Sequence, residues 1–235
     1  MVEKFKQFIR PSERYTMLIG SFYKVDGYKA LALSLIVFLS CHVAGRVYYL
    51  KQMNVSTLIN ILLPVLCIYL SKREGRSLEH LGFSMTEAPK AVCLGTVLGL
   101  LILVVDNIQN IMYMSQLRNL NQIIGDFVSR FIIISLGEEI VFRGYIQPRL
   151  YSIAPNYITA QAIGALLFTM FHLPYRAAVL NMTIFALLGE HGILQMIMVN
   201  AILHIVFDFL HRKYNCIWAN TLVHGCLAFK NYIFA

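Results

Sequence analysis

Charge is what this 235-residue chain has little of. Only 14% of its residues are Asp, Glu, Lys or Arg, while 58% are hydrophobic and the mean hydropathy is +0.63. Soluble domains carry roughly 25% charged residues. A soluble core of this size cannot hide so much apolar surface, so a soluble globular protein is excluded. The five cysteines (Cys41, Cys67, Cys93, Cys216, Cys226) form no Cys-x-x-Cys and read as buried free thiols. No cleavable signal peptide is evident, because the first strongly apolar run begins near Ala30, behind a polar leader, and is long enough to span. Low-complexity segments are absent, and so is any stretch that reads as a separate soluble domain. No basic face is interleaved with exposed aromatics, so nucleic acid is not an expected partner.

What is present is a succession of apolar runs. A helix needs about 17–25 residues to cross a bilayer. Such runs fall at about 29–49, 54–71, 91–112, 123–150, 157–174, 178–189, 193–211 and 216–233. The 178–189 run is short and suits a re-entrant turn or a tilted half-span. The expected fold is all-α: a polytopic membrane bundle of seven or eight transmembrane helices around a polar intramembrane chamber. The organisation reads as a cytoplasmic segment at 1–28, N-terminal transmembrane helices at 29–121 and a motif-bearing core at 122–235.

The net charge is +8. Lys4, Lys6, Arg10, Arg14, Lys24 and Lys29 precede or open the first span, and Lys72, Arg73, Arg76 and Lys90 lie in the 71–90 loop. Such clusters suit cytoplasmic flanks facing anionic lipid. With eight spans the inner side also holds Arg143, Arg149 and Lys230, against Arg46, Lys51, Arg118, Arg176, Arg212 and Lys213 outside. That bias predicts a cytoplasmic N-terminus. The short chain without soluble appendages points to a bacterial cell membrane.

Against this apolar background Glu138 and Glu139 are conspicuous, in the string Ile-Ile-Ile-Ser-Leu-Gly-Glu-Glu-Ile-Val-Phe-Arg-Gly-Tyr. An ionisable residue inside a membrane span is a functional-site hypothesis by default. Residues four apart on a helix are neighbours, so Glu139 can pair with Arg143. Glu138 is rotated about 100° away and is free of that pair. With a hairpin tip at Ala154, Glu138 lies sixteen residues before it and His172 eighteen after it. At about 1.5 Å per residue their depths differ by only about 3 Å. With a second tip at Tyr214, His204 and His224 lie ten residues to either side, each about 15 Å from the loop. One glutamate and up to three histidines therefore share a level. The other intramembrane charges read as local pairs: Asp126 with Arg130, and His204 with Asp208. Asp106 ends its span, and Glu190-His191-Gly192 forms a turn.

These residues resemble the CaaX-protease and bacteriocin-processing (CPBP, or Abi) family of intramembrane peptidases. The Glu-Glu-x-x-x-Arg motif is met by Glu138, Glu139 and Arg143, continuing with Gly144-Tyr145. Phe-x-x-x-His is met by Phe168 and His172. The third motif, a histidine in the last helix, is met by His224. The family usually has Asn or Asp four residues further on, where this chain has Ala228, and Asn231 is seven on. The motif-bearing resemblance covers about 122–228. It implies a helical bundle with a polar chamber open to the cytosolic leaflet. Eukaryotic members clip the last three residues from prenylated proteins. Bacterial members are linked to peptide maturation, bacteriocin self-immunity and control of sensor kinases.

The resemblance implies that Glu138 and His172 hold and activate a water, and that His224 stabilises the oxyanion. Glu139, Arg143 and Phe168 support them, and His204, level with His224, is the candidate to compensate for Ala228. The substrate is then a peptide or C-terminal protein tail, and no cofactor is needed. A zinc ion on Glu138, His172 and His224 is the metal alternative. The other functional class is a non-catalytic membrane partner: an immunity protein, or a binder of a peptide exporter or sensor kinase. A transporter is disfavoured, since the hydropathy pattern shows no inverted repeat.

Overall fold

The structure is a computed structural model and describes residues 11–234. Lys4, Lys6 and Arg10 of the basic flank lie outside the described residues. Within hydrocarbon every backbone N–H and C=O must be satisfied inside its own segment, which favours helices. The described residues are mostly helical, with no strand beyond two isolated bridges.

A short amphipathic helix, α1 (Glu13–Gly20), precedes the first long one. Then come α2 (Lys24–Lys51), α3 (Ser56–Arg73) and α4 (Ala88–Asp106). Residues 120–150 form one unbroken helix, α5, in which ordinary α turns alternate with two wide π stretches, Val128–Ser135 and Ile140–Ile146. It is followed by α6 (Tyr157–Met170), α7 (His172–Val179), α8 (Ile193–Tyr214) and α9 (Trp218–Phe229). Five stretches are long and apolar enough to cross a membrane by themselves: α2, α3, α4, the α6–α7 pair and α8. The π stretches break α5 into short pieces, although the helix runs on. α9 has only twelve residues. The protein is a multi-pass membrane helical bundle.

The connections sort the helix ends into two groups. At one end, Gly27 packs against Ser152 and Ile153 of the α5–α6 turn, Arg149 bonds Glu74, Phe83 bridges Cys216, and Ser12 donates its N–H to the Arg212 carbonyl. At the other end, Arg46 bonds Asn181, Lys230 pairs with Asp106, and Arg118 donates its backbone N–H to Ile233. The 178–189 run therefore does not cross. Its one-turn helix Ile184–Leu188 stays at the second end and hands the chain to α8. Seven helical legs run end to end as a result. Arg212 and Lys213 sit at the basic end and Lys230 at the opposite one, which reverses their assignment under eight spans.

Two local pairings also differ from expectation. Asp126 pairs with Arg118 at 2.8 Å, while Arg130 bonds the Tyr232 hydroxyl at 2.5 Å. Asp208 pairs with Arg212 at 2.5 Å and accepts from Gln161. His204 instead donates Nε2 to Gln147 at 3.1 Å. In each case a partner outside the i,i+4 pair read from the sequence wins, because a neighbouring helix or a different turn brings a better-placed polar group. The turn at 151–156, the Glu190–Gly192 turn and the Asp106 helix end are as expected.

Candidate functional site

The two glutamates occupy the single α turn, Leu136–Glu139, between the two π stretches of α5. π-Bulges are rare and often mark functional sites. Two glycines on this helix let neighbouring backbones close in. A Cβ on Gly137 would lie 2.7 Å from the Asn60 carbonyl of α3, and one on Gly144 would lie 2.7 Å from the Leu81 carbonyl. Gly137 thus seats α3 directly beside Glu138.

Glu139 is fully buried and fully engaged. Arg143 Nη1 lies 3.3 Å from its Oε1, His224 Nδ1 donates to the same oxygen at 2.9 Å, and Asn220 Nδ2 donates to Oε2 at 3.2 Å. Arg143 is clamped between rings, with its guanidinium 4.0 Å from the Phe168 centroid and 5.1 Å from Phe207. Cation–π contacts of this kind help hold a charge that is out of water.

Glu138 is different. Its Oε2 is buried without a hydrogen-bond partner and lies 3.7 Å from His224 Nε2. It faces a cavity of about 220 Å³ whose wall includes His172, Asn60, Cys41, Tyr175 and Arg176. His172 opens α7 just after the break at Phe171, so the interruption between α6 and α7 turns this ring into the cavity. Phe168 lies 5.5 Å from His172 and 5.6 Å from His204, ring to ring.

Glu138, His172 and His224 are therefore brought together, with Glu139, Arg143 and Phe168 packed behind them. His204 is not part of this group, since it is buried against Gln147 and absent from the cavity wall. Among the described residues, no three His, Cys, Asp or Glu side chains stand in an arrangement that holds a metal ion. Sequence reasoning missed Asn220, Asn60 and Phe207. Asn220 was within reach, lying one helical turn before His224 on the same face. Asn60 carries no local signal, since only the α3–α5 contact brings it to the site.

Residues 120–229 match the model of the family described as type II CAAX prenyl endopeptidase Rce1-like. This segment is similar to the Rce1-like family. No curated protein and no solved structure matches the chain. The Rce1-like match begins at the first residue of α5 and ends at the last residue of α9. It contains every motif residue of the CaaX-protease and bacteriocin-processing resemblance. Yet α2 and α3, outside the Rce1-like segment, supply Cys41, Ala44, Ser56, Ile59 and Asn60 to the cavity wall. The matched segment carries the glutamate and the histidine, and the unmatched helices shape the space in front of them.

Proposed function

We propose that the chain is an intramembrane endopeptidase in which Glu138 and His172 activate a water for attack on a peptide carbonyl. The observation that carries this reading is the unpartnered Oε2 of Glu138, buried yet facing a cavity that also bears His172. A buried polar atom without a partner is costly, so a water or substrate group belongs there. Glu138 takes the water's proton as general base, with His172 orienting the water across the cavity. His224 is held by Glu139 through Nδ1, and its Nε2 lies 3.7 Å from Glu138 Oε2. Its place beside Glu138 suits it to stabilise the tetrahedral oxyanion, and Glu138 returns the proton it took to the leaving amine. Arg143, Asn220 and Phe207 keep that imidazole in place. The step consumes one water and breaks one C–N bond, with no redox change.

We read the substrate as a peptide or a protein's C-terminal tail, by extension from the family. The bacterial cell membrane is the proposed location, with the basic end in the cytoplasm. Comparing the membrane peptidomes of wild-type and Glu138→Ala cells tests the activity. Peptides that accumulate uncleaved only in the variant support it, and identical peptidomes at equal protein level overturn it. A purified enzyme that loses cleavage to a chelator and regains it with zinc would overturn the metal-free route.

Ala228 favours a second reading. The family's usual Asn or Asp is missing one turn after His224, and removing one oxyanion donor costs about 10²–10³ in rate. A non-catalytic immunity protein, or a binder of an exporter or sensor kinase, would keep the Glu139 network and leave Glu138 dispensable.

A further inference from the structure

The surroundings of Glu138 are electrostatically lopsided. In the wall of the cavity it shares with His172, Arg176 is the only Lys or Arg among the described residues. Glu138 also borders a cleft of about 20 Å³ whose other walls include Val37, Leu63, Pro64, Val141 and Phe142. No Lys or Arg lines that cleft among the described residues. A negatively charged group entering the site is therefore drawn toward Arg176 and away from the apolar cleft.

α7 sets where Arg176 stands. It follows His172 by four residues, so the two side chains share a helix face. Their Cα atoms are about 6 Å apart along the axis. Leu173, Pro174, Ala177 and Ala178 are buried on the other faces. α2 holds this turn closely: a Cβ on Gly45 would lie 2.5 Å from the Tyr175 carbonyl.

The Arg176 guanidinium has no hydrogen-bond or ion-pair partner among the described residues. Its neighbours in kind are engaged, Arg143 with Glu139 and Arg46 with Asn181. A cation in the last turn of α7 also suits the carbonyl end of that helix. That role does not require the side chain to line the cavity, and this one does.

We propose that Arg176 is a specificity residue that anchors the free carboxylate of a peptide's C-terminus. Guanidinium and carboxylate match as a two-point, charge-assisted pair. An extended peptide advances about 3.3–3.6 Å per residue. The axial rise and the length of the arginine side chain then leave about two or three residues between the carboxylate and a peptide bond held at Glu138 and His172. The cavity, at about 220 Å³, falls below the roughly 300–1,000 Å³ of common ligand pockets. That size suits a chain end better than a chain passing through. The proposal rests on the peptidase reading for the cut, but not for the binding.

Three peptide pools of mixed sequence test it: one with free carboxyl termini, one amidated, and one amidated but ending in Asp. Binding is measured with purified full-length Glu138→Gln protein in detergent, which holds peptide without cutting it. The free-acid pool should bind about tenfold or more tightly than the amidated pool. Adding Arg176→Gln should abolish that preference, and Arg176→Lys should keep part of it. In the active protein, mass spectrometry should place cuts about two or three residues from the free-acid end, and Arg176→Gln should raise KM with little change in kcat. Equal binding of the free-acid and amidated pools, binding of neither, or a preference that survives Arg176→Gln would overturn the proposal. An Asp-ending pool that binds as well as the free acid would move the specificity to an acidic side chain and overturn it too. A free-acid preference that depends on Arg176, with no cleavage by the active protein, would leave the anchor standing and sink the peptidase reading alone.

Discussion

His224 stands between the two glutamates, with Nδ1 2.9 Å from Glu139 Oε1 and Nε2 3.7 Å from Glu138 Oε2. One imidazole thus joins the closed half of the site to the open half. Glu139 has three partners and no exposure, whereas Glu138 has a free oxygen and a cavity before it. The division of labour between adjacent carboxylates follows from what their neighbours leave unsatisfied.

Glu138→Gln keeps shape and volume but removes the base. Cleavage is expected to fall by about 10²–10⁴-fold, the usual contribution of a positioned general base. The thermal unfolding midpoint in detergent should stay at or above the wild-type value, since a buried acid whose Oε2 has no hydrogen-bond partner is replaced by a neutral amide. Near-normal turnover by this variant would remove Glu138 from the mechanism.

Glu139→Gln should behave in the opposite way. It leaves Arg143 without its counter-ion and weakens the acceptors for His224 and Asn220. Breaking a buried ion pair by removing one partner costs about 3–5 kcal/mol. Lower abundance and a clearly lowered unfolding midpoint are expected. Glu139→Gln together with Arg143→Met should recover part of that loss. An unchanged midpoint in the single variant would contradict the structural role.

Gly137→Ala tests the seating of α3. The added Cβ would meet the Asn60 carbonyl at 2.7 Å, so α3 must shift. Overpacking of this kind costs about 1–3 kcal/mol, and the shift carries Asn60 away from Glu138. Cleavage should fall more than stability accounts for, as read by turnover per folded molecule. A variant with wild-type turnover and midpoint would show that the close approach is dispensable.

Glu74 supplies a pH dependence at the basic rim. Burial works against its charge, but hydrogen bonds from Arg149 at 2.7 Å and Lys29 at 2.9 Å outweigh it and hold the carboxyl below its usual range. A depressed acid contributes stability that is fully present above its unfolded value, about 4.3 for a free glutamate, and is lost as pH falls through the folded value. The unfolding midpoint should therefore drop below about pH 4.3, and by less in Glu74→Gln. Equal acid sensitivity in both proteins would refute the assignment.

Much of the site was legible in the chain. The i,i+4 spacing of Glu139 and Arg143 survives because it is internal to one helix, even one widened by π turns. The match in level of Glu138 and His172 survives because a short turn at 151–156 fixes the depth of both arms. The failures share a cause. Arg130 leaves Asp126 for Tyr232, and His204 leaves Asp208 for Gln147, because a distant helix offered a better partner. Asn60 had no local signal.

Hydropathy and local spacing by themselves determined that this chain is a membrane helical bundle, that Glu139 is paired and that Glu138 is spare. Those properties depend on the cost of burying polar groups and on the 3.6-residue period, and both operate within a single helix. Packing between helices decided the rest: that His224 rather than His204 meets the glutamates, and that α2 and α3 wall the cavity. These depend on which residues far apart in sequence touch, and local spacing carries no information about that.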